Sequence, residues 1–321
     1  MAKKQTEKTV NRLVIIGMGL IGSSLAFAAR ERKIAKEVIG ISRRKSTLEI
    51  ALNNGLVDRC ADDLQQVAKE LTAGDIVVIG VPTLSVPEVL KQCVELLSPE
   101  VTITDVASVK ESVVIAAQQL FGEVPSQLVP GHPIAGSEKS GVTAANPELF
   151  IDHRVILTPV ESTSADHLKR TTALWQAVGS MVSTMTVEEH DQILAATSHL
   201  PHFLAYSLVD TLASMNEKTD IFRYAAGGFR DFTRIAASDP IMWRDIAVAN
   251  KKAVIDVMDK VMDNLADLRA LIENADEEKL MAIFKRARDA RNHFGSMLES
   301  NKLDTGSQTP MNEKVINYIV S

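Results

Sequence analysis

Short apolar runs recur through the first half of the chain, at residues 13–16, 38–41, 76–81, 102–106 and 155–158. Between them lie stretches whose apolar positions follow the helical period, such as 21–32, 48–53, 85–97 and 112–121. Strands covered on both faces read as near-continuous apolar runs, and their alternation with helices marks a parallel sheet with crossover helices. Residues 181–185 fit one more strand at the sheet edge. The pattern changes near Val187. From Glu188 to Leu298 glycine is scarce and the spacing is helical, with 246–272 reading as one long amphipathic helix and 276–298 as another. The pattern predicts an α/β domain over 12–186, an all-helical domain over 187–298, and tails over 1–11 and 299–321. The second tail is polar over 299–309 and apolar over 315–320.

Composition adds mainly exclusions. A length of 321 residues allows two domains, and a formal net charge of −6 leaves no basic footprint for nucleic acid or an anionic membrane. The cluster Arg30, Arg32, Lys33 and Lys36 reads as a solvated helix end. Cys60 and Cys93 are too few for a disulfide framework and lack metal-ligand spacing, so both are expected to be reduced and buried. No run approaches the ~20 apolar residues of a membrane span. Residues 1–11 carry no apolar segment of the kind a signal peptide needs. The expectation is a cytoplasmic protein acting on a small molecule, without nucleic-acid or membrane partners. Its helical domain has more apolar faces than a lone bundle buries, which points to a homodimer.

The first specific chemistry lies just after the first strand. Gly17-Met18-Gly19-Leu20-Ile21-Gly22 follows that strand directly and opens the first helix, the context a G-x-G-x-x-G dinucleotide fingerprint requires. The first glycine makes the turn, the second lets backbone approach a pyrophosphate, and the third permits close helix–strand packing. The helix N-terminus then presents unpaired N–H groups to the phosphates. The α/β domain is therefore expected to be of the Rossmann type, with Gly17, Gly19, Leu20, Ile21 and Gly22 as cofactor contacts. At the end of the second strand NAD-specific sites carry an acid for the ribose hydroxyls. Here stand Ser42, Arg43 and Arg44, followed by Lys45, Ser46 and Thr47. A hydroxyl and guanidinium forks suit a 2′-phosphate, which favours NADP over NAD.

The second chemical signal is His132, set between Gly131 and Pro133 in a segment of turn-forming residues. Proline fixes the local backbone, and a rigid loop carrying an imidazole is a means of presenting a general base near neutral pH. The other histidines divide in two. His153, His167, His190 and His293 lie in polar helix or turn contexts and read as ordinary surface residues. His199 and His202 share a helix face, but no cysteine or carboxylate set accompanies them, so no metal is expected. Asp105 ends a strand and reads as an acceptor for backbone donors. Lys110 has two open readings, substrate contact or neutralisation of Asp105 or Glu111, and Arg230 likewise binds an anion or pairs with Asp231 or Asp245.

The segments GMGLIGSSLA, TDVASVK, GHPIAGSEKSG, SHLPH and GGFRDFTRIAASDPIMWRDI together resemble the TyrA family of prephenate and arogenate (cyclohexadienyl) dehydrogenases over residues 12–298. The resemblance implies oxidative decarboxylation of prephenate to 4-hydroxyphenylpyruvate with NAD(P), a step in tyrosine biosynthesis. Arogenate dehydrogenase, or a broad enzyme accepting both substrates, is the alternative. It also implies roles for individual residues. His132 corresponds to the catalytic histidine on the substrate's ring hydroxyl, and Ser108 to the serine that orients it. Ser198, His199 and His202 correspond to residues lining the substrate pocket, and Arg234 to the arginine that binds a substrate carboxylate. Gly227, Gly228 and Trp243 belong to the same wall. The sequence departs from relatives that carry a preceding mutase module or a following regulatory domain, and its Ser42–Arg43 end departs from NAD-specific members.

Overall fold

The computed structural model describes residues 10–137, 139–215 and 221–303. Six strands form a wholly parallel sheet: β1 (Val10–Ile16), β2 (Ala35–Ile41), β3 (Arg59–Ala61), β4 (Ile76–Ile79), β5 (Thr102–Asp105) and β6 (Leu128–Val129). Their order is β3-β2-β1-β4-β5-β6, the doubly wound dinucleotide-fold order. Five helices connect them: α1 (Leu20–Glu31), α2 (Lys45–Asn53), the single turn α3 (Gln65–Ala68), α4 (Val86–Leu96) and α5 (Glu111–Phe121). Burial on both faces explains the unbroken apolar runs. Leu13, Ile15, Ile76 and Val78 enter one core, and Val14, Ile16, Val77 and Ile79 enter the other.

The chain then leaves this sheet. β7 (Gly131–Pro133) pairs antiparallel with β8 (Arg154–Leu157), which pairs in parallel with β9 (Met181–Thr184); α6 (Ala165–Ala177) crosses between the last two. The runs at 155–158 and 181–185 are therefore strands of a second, three-stranded sheet rather than of the parallel one. Period and apolarity identify a strand but not its partner, which is why sequence joined them to the wrong sheet.

The helical segment comprises α7 (Val187–Leu194), a π-helical turn at Ala195–His199, α8 (Leu200–Met215), α9 (Gly227–Thr233), a 3₁₀ turn at Arg234–Ala237, α10 (Pro240–Ala249), α11 (Lys251–Glu273) and α12 (Glu277–Leu303). The single helix expected over 246–272 is two, α10 and α11, with buried Asn250 leaving helical geometry between them. Its side-chain amide donates to the Asp191 carbonyl at 2.9 Å and lies 3.1 Å from His199 Nδ1. As compact units the chain divides into Met1–Met258 and Asp259–Ser321. That cut differs from 186/187 because α7 packs on α5 and α10 packs on the turn Thr83–Ser85, joining the first helices to the α/β layers. The apolar stretch at 315–320 lies outside the described residues.

Candidate active site

Gly17 adopts φ 104°, and a Cβ there would fall 2.4 Å from the Gly80 carbonyl oxygen. A Cβ on Gly22 would fall 2.1 Å from the Gly17 carbonyl oxygen, so the first turn of α1 sits on the preceding turn at glycine-only distance. Gly19, the residue before α1, faces open space with nothing within 4 Å. The first turn of α1 carries no acid. One glycine turns the chain, one packs the helix and one leaves room over a helix N-terminus. That arrangement fits a pyrophosphate. Beyond β2, Ser42 is half-buried and Arg43 and Arg44 are exposed. Ser42 Oγ accepts from Arg44 N–H at 3.3 Å, and α2 follows with no acid in its first turn.

At the same carboxyl edge of the sheet, β5 ends in Asp105 and β6 runs into Pro130, Gly131 and His132. His132 lies on the short strand β7, paired with Ile156, rather than in a loop. The Gly131 peptide is held from both sides. Its N–H donates to Asp105 Oδ2 at 3.3 Å and its carbonyl accepts from Lys110 Nζ at 2.6 Å. Lys110 is fully buried and ion-paired with Asp105, whose Oδ1 also accepts from Ala107 N–H. Lys110 therefore neutralises Asp105, and Asp105 satisfies backbone donors. Burial pulls the Lys110 pKa down, against the opposing pull of Asp105.

His132 is itself buried, and its Nδ1 lies 2.9 Å from Nε2 of His190 on α7. His190 Nδ1 lies 2.6 Å from Asp191 Oδ1. The Asp191 carboxylate also accepts the N–H groups of Lys110 and Glu111, at 2.9 and 2.8 Å, at the start of α5. Burial pushes the His132 pKa well below its ordinary value, helped by the charges of His190, Lys110 and His199. His190 is lowered by burial despite its bond to Asp191. Burial would raise Asp191, but hydrogen bonds from His190 and the two backbone N–H groups outweigh it and hold the carboxyl low. Near neutral pH the network holds two neutral imidazoles and one carboxylate.

A second group adjoins it through Asn250. His199 is 1% exposed, accepts from Asn250 at Nδ1, and thus carries its hydrogen on Nε2, which has no partner among the described residues. Burial lowers its pKa to about 4. His202 stacks on Trp243, ring centroids 3.7 Å apart, and its Nδ1 lies 2.9 Å from the Ser198 carbonyl. The Trp243 Nε1 donor is likewise buried without a partner. Arg234 is exposed on its 3₁₀ turn, and its charge adds to the burial that lowers His202. Two buried unpartnered donors beside a stacked imidazole and a guanidinium suit a small polar anion.

Residues 25–184 match the family described as prephenate dehydrogenase, nucleotide-binding domain, and residues 186–286 match prephenate dehydrogenase, dimerization domain. The cyclohexadienyl dehydrogenase of Zymomonas mobilis is 38% identical over 282 residues, 87% of this chain and 94% of that one. The chain belongs to the prephenate dehydrogenase family. The prephenate dehydrogenase of Bacillus subtilis is also 38% identical, over 87% of this chain and 75% of its own length. A crystal structure of prephenate dehydrogenase from Aquifex aeolicus, in complex with hydroxyphenyl propionate and NAD+, superposes with a TM-score of 0.83 at 34% identity. It covers 91% of this chain and 100% of that one. As a member of this family the chain is an NAD(P)-dependent oxidoreductase, and the fold class expected from sequence is the one observed.

Within that family frame, the structure brings His132 together with residues that sequence reasoning passed over. His190 is completely buried, not a surface residue, and His167 is buried on Thr102 Oγ1 at 2.8 Å. Ser108 is half-buried in the loop between β5 and α5, but the group bonded to His132 Nδ1 is His190. Ser198 contributes its carbonyl to the bond with His202. Gly227 and Gly228 open α9 in exposed positions, and exposed Arg230 lies 3.8 Å from Asp231 while Asp245 pairs with Arg244. Cys93 is buried as expected, whereas Cys60 is only half-buried. Glu138 of the GHPIAGSEKSG segment lies outside the described residues. Among the described residues no group of three or more His, Cys, Asp or Glu could hold a metal, and no helix is long and apolar enough to cross a membrane.

Proposed function

We propose that this chain oxidatively decarboxylates prephenate to 4-hydroxyphenylpyruvate as a homodimer, with NADP preferred over NAD, and that His132 is its general base. The observation that carries the reading is the buried, neutral His132, anchored at the carboxyl edge of the sheet where Gly17 and Gly19 also lie. Ligands of doubly wound folds bind in the crevice outside those strand ends. Gly17, Gly19, Leu20, Ile21 and Gly22 would hold the pyrophosphate, and Ser42, Arg43 and Arg44 the adenosine 2′-phosphate. When bound, the nicotinamide supplies the hydride acceptor.

His132 takes the proton of the ring hydroxyl as hydride leaves the same carbon. The carboxylate on the opposite ring carbon departs as CO₂, its bonding electron pair makes the ring aromatic, and the phenolate so formed takes a proton back. Arg234 pairs with a substrate carboxylate. Ser108, Ser198, the Nε2–H of His199 and the ring of His202 complete the polar wall. Aromatisation supplies the driving force, so the protein's work is orientation and one proton transfer.

The NADP preference rests on the run of cations and hydroxyls at 42–47, which holds no carboxylate. Arogenate, or both substrates, is the second reading, and the Zymomonas relative's name as a cyclohexadienyl dehydrogenase favours it. Both substrates against both dinucleotides, followed by absorbance of the reduced cofactor, tests the proposal. The highest kcat/KM is expected for prephenate with NADP. Highest values with arogenate, or a strong preference for NAD, would overturn the corresponding part.

A further inference from the structure

A hydrogen bond between two imidazoles needs one ring to give a hydrogen and the other a lone pair. In the His132–His190 pair the choice is made one bond further along. An ionised Asp191 can only accept, and its hydrogen bonds hold it in that form. Its two oxygens sit on the first N–H groups of α5, Lys110 and Glu111, where the positive end of that 11-residue helix favours a carboxylate. Asn250 ties the Asp191 carbonyl in place from the other side. The remaining bond to the carboxylate comes from His190 Nδ1, at 2.6 Å, so Nδ1 of His190 carries the hydrogen. A neutral His190 then has only a lone pair on Nε2. His132, 2.9 Å from that lone pair, has to donate from its own Nδ1. Its one accepting nitrogen is Nε2, on the opposite side of the ring.

We propose that His190 and Asp191 are positioning residues that hold His132 in the Nδ1–H tautomer and so present Nε2 as the nitrogen that takes the substrate proton. The proposal rests on the reading of His132 as the base. The alternative tautomer sets two lone pairs against each other, or turns His190 away from a buried carboxylate. The rings meet edge to face, centroids 5.1 Å apart at 64°, which fixes orientation as well as proton placement. The other charged or titratable groups bearing on the pair are Lys110, Asp105 and His199. Lys110 and Asp105 also clamp the peptide of Gly131, so the histidine's backbone and ring are fixed by neighbouring parts of one network.

The test begins without substrate. Ring nitrogens of the full chain, labelled with ¹⁵N-histidine and assigned by the signals lost in His132→Asn, report which nitrogen carries the hydrogen at pH 7. A protonated Nδ1 and a bare Nε2 on His132 are expected; the reverse overturns the proposal. Kinetics separate holding from proton conduction. His190→Gln keeps an acceptor for His132 and a donor for Asp191 but cannot pass a proton, and it should retain kcat within about threefold. His190→Leu keeps neither and should lose about 10²-fold in kcat with KM unchanged. Equal collapse of both variants would mean that the proton travels along the chain of rings, against a holding role. Should His190→Leu fail to fold, the wild-type spectrum and His190→Gln still decide. An Nδ1–H ring in a protein whose His132→Asn variant stays fully active supports the tautomer and overturns the base instead.

Discussion

Burial sets the protonation of three histidines in the same direction. His132, His190 and His199 all hold protons less readily in the folded chain than in the unfolded one, His199 at about 4 against an ordinary 6.5. As pH falls below 6.5 the unfolded state gains protons the folded state does not, so stability declines, by ~1.4 kcal/mol per pH unit for each proton difference. Denaturant titrations at pH 7, 6 and 5 should show this loss, and a flat response would contradict the buried neutral cluster. Arg234 is an exposed cation with a binding role proposed for it. Arg234→Ala should raise KM strongly and lower kcat less, whereas a fall in kcat alone would place it in the transition state. The role of Asp105 as acceptor for backbone donors was legible from its strand end, as was that of His132 as an imidazole fixed beside proline, but the place of His132 on β7 and its burial were not. His190 was not. Glu188, Glu189, Asp191 and Gln192 make its surroundings look solvated, and only the folded chain shows Asp191 turned onto the start of α5 and carrying His190 inward.

Elements were legible where they are long and carry a period. β1, β2, β4 and β5, with α1, α2, α4 and α5, follow from apolar runs and helical spacing, whereas the single turn α3 does not. β3, β6 and β7 have two or three residues each, too few to show alternation. The helix break at Asn250 was hidden for another reason: its amide is spent on Asp191 and His199, partners far away in sequence. The glycine turn before α1 makes a sharper prediction, because its glycines do different work. Gly22→Ala forces a Cβ against backbone and should destabilise the fold by about 1–3 kcal/mol or more. Gly19→Ala meets nothing, so it should melt like the parent in calorimetry while binding the dinucleotide more weakly. Equal dinucleotide affinity in Gly19→Ala would remove this turn from the cofactor site.

On the scale of the whole molecule, the pattern of the sequence separated an α/β half from a helical half. The compact units fall elsewhere, because α7 packs on α5 and α10 on the turn Thr83–Ser85. α11 shows a different kind of surface. Ile255, Met262, Leu265 and Ile272 are exposed along one stripe at heptad-compatible spacing, within the segment matched to a dimerization domain. Leu265→Glu should convert a dimer into a monomer in sedimentation, and an unchanged mass would take the stripe out of the interface. The sheet edge, α5 and α7 converge on one imidazole, His132. Steady-state kinetics of the parent and His132→Asn with prephenate, across pH, test its role as general base most directly. The parent's kcat/KM should hold down to pH 6.5 and fall only below it, and His132→Asn should lose about 10²–10⁴-fold in kcat with KM little changed. A His132→Asn variant as active as the parent would contradict the account.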